Sequence, residues 1–189
     1  MPMLGIMASQ ISGHLYTLTG NYDSIQTVTV GTPQATISFT SIPATYTHLQ
    51  IRFTARSAVS AANAACFVKF NSDATSNYTN HQIYGNGATA GSNAFGGSPR
   101  ANMYLGQISG ATATAGIFGV GIIDILDYAN TSKYKTARAL NGQDSNGSGD
   151  IDFRSGAWMS TSAITRIDIT EDSAANFAQY SSFALYGIK

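Results

Sequence analysis

Charged residues are scarce in this chain of 189 residues. Asp, Glu, Lys and Arg together make up 11 % of it, whereas an average soluble domain contains roughly 25 %. The ten basic residues balance the ten acidic ones, so the chain has no net field that would attract nucleic acid or an anionic membrane surface. We therefore expect no direct nucleic-acid partner and a neutral polar surface that tolerates close contact with like copies.

Cysteine and long apolar runs are also nearly missing. Cys66 stands alone in AACFVKF, which excludes an intrachain disulfide and favours a small buried side chain. No window reaches the roughly 20 apolar residues of a membrane-spanning helix. The first residues, MPMLGIMASQI, lack the basic and apolar regions of a secretory signal. We expect a protein made in the cytoplasm, without a membrane partner.

The sequence shows no sustained helical periodicity. Short segments in which apolar and polar residues alternate occur instead. Runs such as NMYLGQI, KYKTARALNG and YSSFALYGI are separated by turn residues. About nine or ten such strands predict an all-β fold, an antiparallel β-sandwich or barrel. We assign residues 1–23 to an N-terminal arm and residues 24–189 to a single sandwich domain.

The segment THLQIRFTAR, residues 47–56, has one apolar and one polar face. Leu49, Ile51 and Phe53 are predicted to fill the sandwich. The opposite face carries His48, Gln50, Arg52 and Arg56, which we expect to meet a neighbouring subunit or solvent. Just before it, residues 24–30 and 35–40 flank GTPQ and predict a β-hairpin.

A candidate calcium loop lies in DSNGSGDIDFRS, residues 144–155. Its oxygen-bearing side chains alternate as in a calcium-binding loop, and the proposed ligands are Asp144, Asn146, Ser148, Asp150 and Asp152. Ser155 stands where the bidentate Glu of such loops belongs, and the flanks read as strands. The alternative is a hairpin turn at Asn146-Gly147, in which case the protein needs no cofactor.

No catalytic residues are assigned. The histidines lack metal-ligand spacing, and no nucleotide-binding loop or nucleophile elbow occurs. Asp124 and Asp127 would face opposite sides of a strand, which excludes an acid pair for glycoside hydrolysis. We expect Asp124 to pair with Arg52 or Arg138.

Aromatic residues interrupt the stretch 71–100, which is rich in Asn, Gly and Ser. Tyr78, Tyr84 and Phe95 are candidates for contact with a receptor or glycan, because sugar-binding sites stack aromatic rings on pyranoses. The same mixture suits a protein–protein contact.

Several segments resemble a family of small structural proteins from the virions of tailed bacteriophages. They are SIPATYTHLQIRFTARS (41–57), FNSDATSNYTNHQIYGNG (70–87), GIIDILDYANTSKYKTARALNG (121–142), FAQYSSFALYGIK (177–189) and, near the N-terminus, MLGIMASQISGHLY (3–16). The resemblance implies a jelly-roll-like sandwich, a homotrimer and a place in the virion, which assembles in the host cytoplasm. It does not imply an enzyme.

These observations together predict a capsid decoration (cement) protein that binds the major capsid protein or another virion protein and stabilises the head. The predicted contact residues comprise an apolar set in the arm and a set in the strands: Met3, Leu4, Ile6, Met7 and Ile11, then His48, Gln50, Arg52, Tyr186 and Ile188. The alternative is a receptor- or glycan-binding module of a head or tail fibre.

Overall fold

A computed structural model describes residues 20–94, 100–145 and 147–189. These residues form twelve β-strands in two antiparallel sheets and no α-helix. This confirms the predicted all-β sandwich. The strands are β1 Tyr22–Thr29, β2 Thr36–Phe39, β3 His48–Ala55, β4 Asn63–Phe70, β5 Tyr78–Gly85, β6 Ala90–Asn93, β7 Met103–Ser109, β8 Gly119–Leu126, β9 Lys135–Asp144, β10 Gly149–Trp158, β11 Ile167–Glu171 and β12 Ser182–Ile188.

The two sheets differ in size. The large sheet has eight strands in the order β1-β12-β3-β8-β9-β10-β5-β6, and the small sheet has four in the order β2-β11-β4-β7. The small sheet covers one face of the large sheet, with β7 packed over β8, β9 and β10. We call the uncovered side of the large sheet its outer face.

The core lies between the sheets and follows the predicted alternation. In β3 the side chains of Leu49, Ile51 and Phe53 are buried, as the sequence predicted. Phe183 from β12 packs against Phe53 and Phe177, with ring centroids 5.9 and 5.0 Å apart. Each large apolar side chain buried in this way contributes about 1.5–3 kcal/mol to stability.

The predicted hairpin between residues 24–30 and 35–40 is wrong. β1 pairs with β12 in the large sheet, whereas β2 pairs with β11 in the small sheet. The GTPQ segment therefore carries the chain from one layer to the other, where Gln34 forms a β-bridge with Phe177. β1 and β2 therefore contribute their apolar side chains from opposite sheets. The apolar surface that they bury across the core outweighs the tendency of a short loop to form a hairpin.

The stretch 71–100 contains two strands that account for the excess over the predicted number. β5 pairs with β10, and β6 pairs with β5 at the edge of the large sheet. At the N-terminal boundary, β1 begins at Tyr22, just before the predicted start of the domain at residue 24. No helix in the described part of the chain could span a bilayer.

Candidate functional site

Strand β10 places its side chains in the opposite sense to that expected of a sandwich strand. Ile151 and Phe153 are 61 % and 45 % exposed on the outer face. Asp152 lies between these two residues and Arg154 follows them. Both side chains are 2 % exposed and point towards the small sheet. Since side chains alternate along a strand, a shift of one residue would exchange the two pairs. The structure keeps the apolar pair outside.

Neighbouring strands extend this apolar surface. Ile122, Leu140, Phe153 and Ile83 are register partners in one row across β8, β9, β10 and β5. Val120 and Ile151 lie in the next row, separated by Gly142. We call these six side chains the outer apolar patch. Their exposed fractions range from 43 % to 61 %, and register partners on one face are in contact distance.

The outer apolar patch exposes on the order of 600 Å² of apolar surface, if a fully exposed large side chain presents about 200 Å². This is at the upper end for the largest patch of a typical monomer, roughly 300–600 Å², and patches of that size are frequently binding sites. The patch therefore marks this face as a candidate protein-binding surface.

A groove of about 990 Å³ runs along one end of the patch. It is lined by Val120, Ile122 and Leu140 of the patch and by turn residues such as Asn86 and Ser148. Gly142 lies between Val120 and Ile151 in the register, and lacks a side chain that would fill the gap between the strands. The groove gives the flat patch a concave end that could receive a protruding side chain.

A polar border separates the patch from the other end of the sheet. Asp124 in β8 accepts hydrogen bonds from Gln50 Nε2 at 2.8 Å and from Arg138 Nε at 3.0 Å. Arg52 Nε donates to Gln50 Oε1 at 2.8 Å. Asp124 was predicted to pair with Arg52 or Arg138, and the structure selects Arg138. Within this border Asp124 pairs with Arg138, and Arg52 is bound through the neutral Gln50 side chain, so two basic groups stand against one acidic group.

The predicted contact residues of β3 and β12 lie together on the outer face beside this border. Gln50 and Tyr186 are register partners, as are His48 and Ile188. The guanidinium of Arg52 lies 5.2 Å from the ring centroid of Tyr186 and 5.4 Å from that of Tyr22. The residues predicted in the arm, Met3, Leu4, Ile6, Met7 and Ile11, lie outside the described residues.

His48 has a structural role in its own chain. Its Nδ1 accepts a hydrogen bond of 3.0 Å from the backbone N–H of Asp127. The carboxylate of Asp127 is also bound by Lys133, which holds the pKa of Asp127 below its usual value.

On the inner side of β10, Asp152 and Arg154 form a buried ion pair with a distance of 3.1 Å. The guanidinium of Arg154 lies 3.6 Å from the ring centroid of Tyr104 in β7. Burial raises the pKa of the Tyr104 hydroxyl to about 12, although Arg154 opposes the shift. The pair fills space between the layers that aliphatic side chains occupy elsewhere in the core.

The predicted calcium ligands that the structure describes do not converge. β9 and β10 are antiparallel neighbours with Asp144 opposite Gly149, which agrees with the alternative of a hairpin connection. Asp144 lies on the exposed face of β9, whereas Asp152 is buried with Arg154, and Asp150 accepts a hydrogen bond from Asn63 at 3.3 Å. Ser148 accepts a hydrogen bond from the Ser145 N–H through its backbone oxygen, and Asn146 lies outside the described residues.

The predicted receptor contacts are also dispersed. Tyr78 is fully buried against Trp158, with ring centroids 6.3 Å apart, so it is not a surface residue. Burial raises the pKa of its hydroxyl to about 12. Tyr84 is half-buried over Gly91, where an added Cβ would come within 2.8 Å of the ring. Phe95 lies outside the described residues.

Cys66 is buried in β4, as predicted. Burial, together with the nearby Glu171 carboxylate, raises the pKa of its thiol to about 12. The thiol is therefore protonated and inaccessible at neutral pH, which leaves it chemically inert. Within residues 20–94, 100–145 and 147–189, no group of three or more His, Cys, Asp or Glu side chains is placed to hold a metal ion.

Sequence reasoning missed the outer apolar patch. The signal was present in IDFRS, where apolar and polar residues alternate, and in IIDIL. Alternation identifies two faces but does not say which of them faces the core. The patch is formed by the lateral pairing of β8, β9, β10 and β5.

Comparisons with models of known protein families, with curated proteins and with solved structures found no match.

Proposed function

We propose that this protein is a structural component of a bacteriophage particle, a capsid decoration protein that stabilises the head by binding other protein subunits. The observation that carries the proposal is the outer apolar patch. A chain with 11 % charged residues and a net charge of zero that also exposes such a patch is suited to stay bound to protein neighbours. The resemblance of its segments to virion proteins of tailed phages is the reason for placing this binding on a phage particle.

The strand order supports the jelly-roll arrangement within this proposal. Successive strands alternate between the sheets from β1 to β4 and again from β7 to β8 and from β11 to β12. The hairpins β5–β6 and β9–β10 interrupt this alternation and both join the large sheet. They carry Ile83, Leu140, Ile151 and Phe153, four of the six patch residues, so the proposed binding surface is built largely on additions to an eight-stranded sandwich.

The mechanism would be burial of apolar surface at contacts repeated around the head. Covering about 600 Å² of apolar surface yields on the order of 15 kcal/mol before the cost of association is subtracted. Because a shell presents many equivalent sites, contacts of modest strength add up through multivalency. The subunits would then resist the outward pressure of packaged DNA together.

The fibre-module alternative receives less support, since Tyr78 is buried and Tyr84 packs on its own hairpin. The two functions are separated by the position and copy number of the protein on purified particles. Cryo-electron microscopy should show a regular array of the protein over the head surface. A few copies at the tail or at a single vertex, or absence from the particle, would contradict a decoration role.

A second measurement tests stabilisation directly. Heads that lack the protein should release DNA at a lower temperature than complete heads, and the purified protein should restore resistance in a saturable manner. Unchanged release with the sites fully occupied would contradict the mechanism.

A further inference from the structure

We propose that the outer apolar patch is the contact surface for a second copy of this chain, patch against patch. The inference rests on the proposed function, since it names the partner of the same surface. It places the subunit contact on β5, β8, β9 and β10. The contact predicted from the sequence centred on β3 and β12, which become the rim.

The area of the patch fits a contact between two copies of the chain. A standard protein–protein contact buries about 800 Å² on each partner, and contacts between identical subunits are the more apolar ones. The six patch side chains, between 43 % and 61 % exposed, supply most of such an area in one contiguous block. Their polar surroundings, including Arg52 and Arg138, complete it as a rim.

The charges around the patch do not favour a highly charged partner. A strongly basic or acidic partner would need a large excess of one sign of charge on this surface, but the border contains two basic groups and one acidic group. Asp124 accepts hydrogen bonds from Gln50 and Arg138 at 2.8 and 3.0 Å. A copy of the same chain brings both signs as well and has a net charge of zero, so two copies approach without long-range repulsion.

The orientation of β10 also favours a second copy as the partner. Ile151 and Phe153 face outward while the ion pair of Asp152 and Arg154, at 3.1 Å, is buried. A lone subunit gains nothing from this exchange, because the exposed pair forfeits burial. A two-fold axis through the patch would bring apolar rows onto apolar rows, because a two-fold contact uses the same surface of both copies.

The test uses the purified chain without phage particles, so that it is independent of the proposed function. Sedimentation and light scattering should show an oligomer at micromolar concentration. Leu140→Glu and Phe153→Glu should each be monomeric, with a circular dichroism spectrum and thermal transition that show a folded sandwich. Thr36→Glu, an exposed position on β2 of the small sheet, is the matched control and should remain oligomeric.

A thiol-labelling experiment reports on the patch without introducing a charge. The native thiol, Cys66, is buried, so the Leu140→Cys variant carries a single reactive thiol. Its labelling by a maleimide should be at least tenfold slower at high than at low protein concentration. Labelling of Thr36→Cys should not depend on concentration.

Three results would overturn the inference. They are a monomeric wild-type chain at high micromolar concentration, an oligomer that survives both glutamate variants in folded form, and equal labelling rates of Leu140→Cys at all concentrations. An oligomer that behaves as expected but does not bind phage heads would support the inference and refute the decoration role.

Discussion

At the residue scale, Asp73 illustrates how one carboxylate organises a connection. It lies between β4 and β5, and its Oδ2 accepts hydrogen bonds from Trp158 Nε1 at 2.7 Å and Asn77 Nδ2 at 3.0 Å. Its Oδ1 accepts from the backbone N–H of Thr75 at 2.9 Å. Partial burial raises the pKa of Asp73, but these donors and the Thr75 hydroxyl outweigh it and hold the pKa well below its usual range.

This arrangement predicts a pH dependence. Because the pKa of Asp73 is lower in the folded state than the value of about 3.9 in the unfolded chain, its carboxylate stabilises the fold above about pH 4. That contribution is lost as the pH falls towards the folded pKa. Asp73→Asn should lower the free energy of unfolding by about 1–3 kcal/mol at pH 7, and the difference from wild type should shrink below about pH 4.

Urea unfolding followed by circular dichroism at several pH values measures the difference. Asp172→Asn, at an exposed position, is the control and should follow the wild type throughout. If Asp73→Asn and the wild-type chain differ equally at pH 7 and pH 3, the carboxylate does not have the role assigned to it.

At the scale of the element, β10 combines a buried ion pair with an exposed apolar face. Arg154 and Asp152 compensate each other inside the sandwich, and the Tyr104 ring covers the guanidinium. A buried pair of this kind is costly to break, since the remaining charge is left without compensation, but it is often replaceable as a whole.

Arg154→Met should therefore lower the free energy of unfolding by about 3–5 kcal/mol. The double variant Asp152→Leu/Arg154→Met should recover at least about half of the loss, because no isolated charge remains. Arg138→Met breaks the ion pair with Asp124, in which the arginine side chain is 59 % exposed. This variant should lose less than about 1 kcal/mol of the free energy of unfolding. Chemical unfolding of the four proteins measures all three effects. A double variant no more stable than Arg154→Met would contradict the explanation.

The strands differ in how well the sequence predicted their buried faces and their pairing partners. The alternation in THLQIRFTAR predicted the limits and the buried face of β3 closely, because Leu49, Ile51 and Phe53 are much more apolar than the residues between them. In IDFRS the alternation did not show whether the apolar or the polar side chains are buried. Which set is buried depends on the packing of β7 over β10. The hairpin prediction for β1 and β2 failed for a similar reason, since pairing with β12 and β11 is decided far away in sequence.

The candidate site was less predictable than the fold. Residues of the patch come from β5, β8, β9 and β10. The hairpin alternative at Asn146-Gly147 indicated that β9 and β10 are neighbours, but nothing in the sequence indicated that β5 pairs with β10. The calcium loop and the aromatic contacts were inferred from local patterns, and local patterns do not say that Asp152 and Tyr78 are buried. The sequence correctly limited the ion-pair partner of Asp124 to one of two arginines, because a carboxylate in an apolar strand needs a nearby cation.

At the scale of the whole molecule, the described residues contain a continuous core between the sheets. We therefore expect removal of residues 1–12 to leave the thermal unfolding of the domain unchanged. If the N-terminal segment serves as the predicted arm, the same truncation should abolish binding to phage heads. Differential scanning calorimetry and co-sedimentation with heads measure the two effects.

Substitution of Met3, Leu4 and Ile6 by Ser within the full chain is the matched variant, because it keeps the length and removes the apolar side chains. Binding of the truncated chain at wild-type occupancy would contradict the arm. A large fall in the melting temperature would instead assign residues 1–12 to the stability of the domain.

The position of β12 has a consequence for biosynthesis. This strand lies between β1 and β3 and pairs with both of them. On the ribosome, β1 emerges early, but its partner in the sheet is translated after all eleven other strands. Until then the edge of β3 and the whole of β1 are unpaired, and nascent chains are open to mispairing with one another. Chaperone demand should accordingly be concentrated late in translation and fall sharply once Ser182–Ile188 have left the exit tunnel.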